Sequence, residues 1–168
     1  MKLDIGNRLL LAFRELLTAD QDIAALVGQR VWWYGDETHR AAYPCILVNI
    51  PASAPSGIAE LGWEEVHLQL LASTYRPDDK GLETLRALVG LLRGFVRRRN
   101  LPAELTATTA AKTAESALTV VDARYENDVE QEEGHSTQIY AGITIQVTCA
   151  PHNAGVSPGQ DTHTGDNP

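Results

Sequence analysis

Only two cysteines, Cys45 and Cys149, occur in 168 residues, and both sit inside apolar, strand-like runs. Such positions read as buried, reduced thiols, which pack like small hydrophobes. Their spacing gives no support to a disulfide or to a Cys/His metal cluster. Basic residues are also short: 14 Lys and Arg against 22 Asp and Glu leave a formal net charge of −8. A protein whose main work is gripping nucleic acid needs a basic face to displace counterions, so that class is disfavoured. No apolar run approaches the roughly 18 residues of a membrane span. Arg8, Arg14 and Glu15 interrupt Leu9, Leu10 and Leu11 as a signal-peptide core, so a protein made and folded in a cytoplasm is expected.

Catalytic signatures are missing as well. His39, His67, His135, His152 and His163 show no ligand spacing with one another or with a cysteine. There is no glycine-rich phosphate loop and no Gly-x-Ser-x-Gly frame. Of the paired acids Glu64-Glu65, Asp78-Asp79 and Glu132-Glu133, the middle pair is accounted for by a helix start. No catalytic residue, metal or cofactor is expected, and an enzyme is not the favoured reading.

What is present is enough apolar sequence for one core. Hydrophobic residues make up 43% and charged residues 21%, a globular balance for a single domain over residues 1–150. Apolar spacing predicts a helix over Leu3 to Thr18, with Ile5, Leu9, Phe13, Leu16 and Leu17 on one face. Asp20 is an N-cap candidate for a short helix, Gln21 to Val27, and Gly28 a left-handed C-cap candidate. Strands are expected at Arg30 to Tyr34, from Tyr43-Pro44 through Ile50, and at Trp63 to Ser73, with a long loop from Pro51 to Gly62. A long helix, Asp78 to Arg98, carries the stripe Leu82, Leu85, Leu88, Val89, Leu92, Phe95 and Val96, and Asn100 and Pro102 stop it. Ala103 to Ser116 has no assigned structure. A strand from Leu118 to Glu126 changes parity midway, which a β-bulge explains. The last strand, Ser136 to Cys149, keeps one apolar parity. Residues 151–168 are nearly devoid of apolar side chains and read as a flexible tail. The fold class is therefore α+β: an antiparallel (or mixed) sheet of about five strands, with the two main helices on one face.

Three surface features are candidates for contact with partners. Arg93, Arg97, Arg98 and Arg99 gather at the end of the long helix, where dipole contacts and solvation are the leading account of them and a contact patch for a neighbouring subunit or DNA is the other. Glu126, Asp128, Glu130, Glu132 and Glu133 read either as a solvated hairpin tip closed by Gly134 or as an acidic surface shown to a partner or lining a channel, where it would repel DNA phosphates. Trp32 and Trp33 are consecutive on a strand and point to opposite faces, so one can fill the core while the other meets a neighbour.

The segments Phe13 to Asp20, Ile23 to Val31 and Tyr43 to Val48, followed by Ala72-Ser73-Thr74-Tyr75 and the long helix, resemble the tail-terminator (tail-completion) family of long-tailed phages and gene-transfer particles. The likeness lies in the order of these pieces and covers about Leu9 to Cys149; Ala103 to Ser116 and the tail depart from it. It implies a homo-oligomeric ring, typically a hexamer, that caps the tail tube, stops its polymerisation and joins it to the head connector or head-closure protein. It also implies passage of DNA through the ring without specific binding, a virion location in the tail or neck, no membrane and no reaction. Alternatives within virions are a head-closure or neck adaptor and a tail-tube subunit. Outside them stand a tail-assembly binding protein and a small enzyme. Because a closed ring needs two different complementary patches, the arginine cluster and the acidic segment are expected to meet across subunits.

Overall fold

The computed structural model describes residues 5–34, 42–55, 63–75, 79–113, 116–133 and 138–150. The order is α1 (Ile5–Ala19), α2 (Gln21–Val27), β1 (Val31–Trp33), β2 (Cys45–Pro55), β3 (Glu64–Tyr75), α3 (Asp79–Arg98), α4 (Leu101–Ala107), β4 (Lys112–Thr113), β5 (Ser116–Ala117), β6 (Thr119–Glu133) and β7 (Gln138–Ala150). β1, β2, β3, β7 and β6 form one five-stranded sheet in that spatial order, and β4 and β5 form a small hairpin. The class is α+β, and the sheet is mixed. β2–β3, β3–β7 and β7–β6 are antiparallel, but β1 runs parallel to β2, with Val31 opposite Ile46 and Trp33 opposite Val48.

Strand parity divides the sheet into two faces. Ile46, Val48, Val66, Leu68, Leu70, Ala72, Ile143, Ile145 and Val147 join one core with Leu9 and Phe13 of α1, Ile23 of α2, Leu88 and Leu92 of α3 and Leu105 of α4. Each large side chain buried here contributes about 1.5–3 kcal/mol relative to exposure. The other, outer face carries a smaller cluster, Cys45, Leu47 and Leu71, against which Trp32, Tyr43, Val129 and Tyr140 pack. Both cysteines are buried and unpaired with each other, Cys45 on the outer face and Cys149 in the main core. Burial, with Glu64 nearby, pushes the Cys149 thiol up to about 12.

Several expectations change. The loop expected from Pro51 is strand as far as Pro55, after a register shift between Asn49 and Ala52 that absorbs Pro51 in a bulge; residues 56–62 lie outside the described part. α3 ends at Arg98 as expected, but Asn100 and Pro102 also open a further helix, α4, with Pro102 in its first turn, where its missing N–H is harmless. The unassigned stretch after it is α4 followed by the β4–β5 hairpin. Glu126 to Glu133 are not a hairpin tip: they are the second half of β6, paired to β7 as far as Glu133–Ile139. The expected parity change in this strand is there. The register shifts between Val120 and Asp122, so that Val120 is buried, Val121 is exposed and Ala123 packs on the core again. It shifts twice more, at Tyr125/Asn127 and Val129/Glu132. The expected tail, residues 151–168, lies outside the described residues.

Candidate functional site

The turn from α1 into β1 is fixed by the residues on which the family resemblance rests. Asp20 caps α2, its carboxylate accepting from the amides of Asp22 and Ile23 at 3.1 Å each. The same carboxylate pairs with Arg99 at 2.6 Å, tying α2 to the end of α3. Burial opposes its charge, but the Ile23 amide and Arg99 together hold it below the usual carboxylate value. Gly28 has φ 57 and ψ −122, so its φ is positive as expected while its ψ is not left-handed helical. Those angles belong to the first central residue of a type II′ turn, and Arg30 N donates back to Val27 O at 3.0 Å to close it. The Arg30 side chain then donates to Pro44 O at 2.8 Å and to Leu26 O at 2.9 Å. Helix end, β1 and the start of β2 are thereby clamped together, beside the cis Tyr43–Pro44 peptide.

The four candidate arginines separate into distinct environments. Arg93 makes a two-pronged pair with Asp128 of β6, Nε to Oδ1 at 2.9 Å and Nη2 to Oδ2 at 2.7 Å. Tyr125 adds its hydroxyl to Asp128 Oδ1 at 2.8 Å. Arg93 and then Tyr125 hold the Asp128 carboxyl below its ordinary value. Arg97 lies over the Tyr125 ring, 5.3 Å from its centroid. Arg99 is committed to Asp20 and reaches Glu104 at 3.4 Å. Arg98 is exposed on the solvent side of α3.

The acidic residues separate as well. Asp128 points toward α3, whereas Glu126 and Glu132 lie over the outer sheet face. Glu126 Oε2 is 3.0 Å from His67 Nδ1, and Glu65 Oε1 is 3.1 Å from His67 Nε2. The hydrogen bond to Glu126 raises the His67 pKa above its ordinary value against a smaller effect of burial, and Glu65 adds to the rise. Glu132 accepts from the Tyr140 hydroxyl at 2.9 Å, and this bond raises the Tyr140 pKa. Glu130 is exposed and lines a cavity of about 290 Å³ between α3 and β6, with Arg86, Arg93 and Asp128. Glu133 pairs with Ile139 in the ladder. The structure thus brings Arg93 and Asp128 together within one chain and leaves Arg98, Glu130 and the outer-face carboxylates turned to solvent.

The two tryptophans do point to opposite faces. Trp33 packs on the main core and Trp32 on the outer-face cluster, with the Arg14 guanidinium 5.8 Å from its ring centroid. Around Trp32 the outer face collects tyrosines that the sequence did not single out. Tyr34 meets Tyr140 edge-on at 6.2 Å, and Tyr43 stacks on Tyr75 at 6.3 Å. Tyr34 and Tyr75 are 47% and 48% exposed, the most exposed large hydrophobic side chains among the described residues. Strand parity could have placed Tyr75 and Tyr140 on this face. Their meeting with Tyr34 and Tyr43 depends on the parallel placement of β1.

A cavity of about 560 Å³ opens between the first turn of α1 and the sheet, lined by Ile5, Asn7, Trp33, Ile50, Glu64 and Val66 among others. Among the described residues its lining brings no second charged side chain to Glu64. Among the described residues no three His, Cys, Asp or Glu side chains come together as a metal-binding group, and no helix is long and apolar enough to cross a membrane. What the arrangement offers is contact surface: aromatic and acidic on the outer sheet face, basic along α3. No protein-family model and no curated protein matches this chain.

Proposed function

We propose that the chain is a structural subunit of the tail-terminator type, which assembles into a ring on the end of a phage or phage-like tail tube. In this reading the ring stops tube growth, offers its other side to the head connector and lets DNA pass without gripping it. Its place is the tail or neck of a particle put together in the host cytoplasm, and it catalyses nothing.

One observation carries the reading. The residues behind the family resemblance act together as a structural unit: Asp20 caps and anchors α2, Gly28 makes the turn, and Arg30 holds Pro44 at the start of β2. These contacts fix the two ends of the one short helix that the resemblance includes, its start to Arg99 and its end to Pro44. The acidic balance of the chain also suits a ring through which polyphosphate slides, because like charge disfavours sticking.

The test is the mass of the purified protein by light scattering over a range of concentration and salt, with electron micrographs of the same samples. A ring-sized species with a central hole is expected, either at once or on concentration. A stable compact dimer at all concentrations would sink the reading.

A further inference from the structure

The sheet separates two surfaces of opposite character. On the solvent side of α3, Arg86 and Arg97 stand on one side of a strip made by Ala87, Gly90 and Gly94, and Arg98 stands on the other, where Asp20 and Asp22 at the start of α2 close a groove of about 260 Å³ with the two glycines. A Cβ built on Gly90 meets nothing within 4 Å, and one on Gly94 meets only the guanidinium end of Arg98 at 3.8 Å. Another surface can therefore approach this helix closely, between its arginines. On the outer sheet face, beyond the core, stand Tyr34, Tyr75 and Tyr140 with Glu65, Glu126 and Glu132. Arginine is the side chain that suits such a face, since its planar cation both stacks on aromatic rings and bonds carboxylates. The chain shows that pairing internally, where Arg97 covers Tyr125 and Arg93 grips Asp128.

We propose that the arginine-flanked face of α3 in one copy docks on the tyrosine–carboxylate face of the sheet in the next copy. Because the two faces lie on opposite sides of one molecule, the contact is head-to-tail and propagates from copy to copy, closing into a ring when the rotation allows. The open sheet edges do not compete as contacts of equal quality. β6 is bulged three times and lined with charge, β1 is only three residues long, and the part of β2 beyond β1 carries Pro51 and Pro55, the devices by which edges resist strand addition. The inference rests on the ring reading proposed above and names the surfaces that build the ring.

Two variants of the full chain test it. The first reverses the helix face, Arg86→Glu with Arg98→Glu; the second alters the sheet face, Tyr75→Arg with Glu132→Arg. All four positions are partly or fully exposed, and circular dichroism and melting check that both variants fold. Each variant alone should associate at least about tenfold more weakly than wild type, the scale expected when charges oppose at an interface. An equal mixture should recover association, because the intact helix face of the second variant meets the intact sheet face of the first, and the remaining pair sets introduced acids on the helix face against introduced arginines on the sheet face, opposite charges once more. Wild-type assembly by either variant alone, or a mixture that stays monomeric, would overturn the docking proposal while ring formation by wild type stood. A wild-type chain that stays monomeric at the highest attainable concentration would overturn it too. A wild-type compact dimer built through another surface would remove the ring reading itself.

Discussion

Gly142 lies in β7 opposite Leu71, where the neighbouring strand comes too close for any side chain. A Cβ there would stand 1.9 Å from the carbonyl oxygen of Leu70 and 2.9 Å from the Leu71 Cα. Both are backbone atoms, so neither can rotate away, and the central β3–β7 ladder would have to part. Gly142→Ala should therefore cost about 2 kcal/mol or more, toward the upper end of overpacking effects. The check is a urea transition whose midpoint falls while its slope holds. An unchanged midpoint would mean that the strands can separate at no cost. The sequence gives no warning of this: a lone glycine between Ala141 and Ile143 reads equally as a bulge or as a tolerated gap. Gly28 is different, since a glycine directly after a capped seven-residue helix announces a turn, and only its type waited for the structure.

The elements that proved legible are those with a strong period. The apolar stripe of α3 and the single parity of β7 each carried enough repeats to fix type and facing, and both strips are buried as their spacing requires. β6 was harder to read because it changes parity three times. Alternating acids along it imitate a solvated turn when the partner strand is not known. The His67 contact was hidden for the same reason, since Glu126 reaches it only across β7 and only because the strand is bulged beside it. That contact makes β6 sensitive to pH. Glu126, and then Glu65, raise the folded-state pKa of His67 above the ordinary 6.5, so the folded state holds this proton more tightly than the unfolded chain. The resulting stability is fully present below about pH 6.5 and is lost as pH rises through the folded pKa. His67→Gln should thus lower stability by about 0.5–1 kcal/mol in the acid range, a value already reduced for solvent screening, and by progressively less as pH rises through the folded pKa. Paired denaturant titrations at several pH values measure the difference. A gap between wild type and variant that widened toward alkaline pH would contradict the clamp.

At the scale of the whole molecule, the class followed from element order, but the parallel placement of β1 did not. Parallel pairing needs the chain to return to the end from which β1 began, and residues 30–45 announce no crossover helix. Without that placement the aromatic group on the outer face could not be assembled from sequence. Charge poses the last question, because a chain of net charge −8 repels its own copies. Long-range repulsion is screened by moderate salt, whereas short Arg–carboxylate contacts at a docked surface are screened less. Self-association should therefore strengthen from low salt to about 0.15 M and weaken again toward about 1 M as the local pairs are screened in turn. Arg97→Glu with Arg98→Glu removes two positive charges from the docking face and adds two negative ones, so both terms move against assembly. The double variant should lose the large species at every salt concentration. Its monomer should still fold, since what is given up is the exposed Arg97–Tyr125 stack and the favourable charge at the end of α3, neither of which is in the core. Sedimentation of wild type and variant across the salt series, with circular dichroism of each, separates the cases. A variant that assembled as wild type does would show that the arginines serve only the helix end. One that unfolded would show that their role is internal.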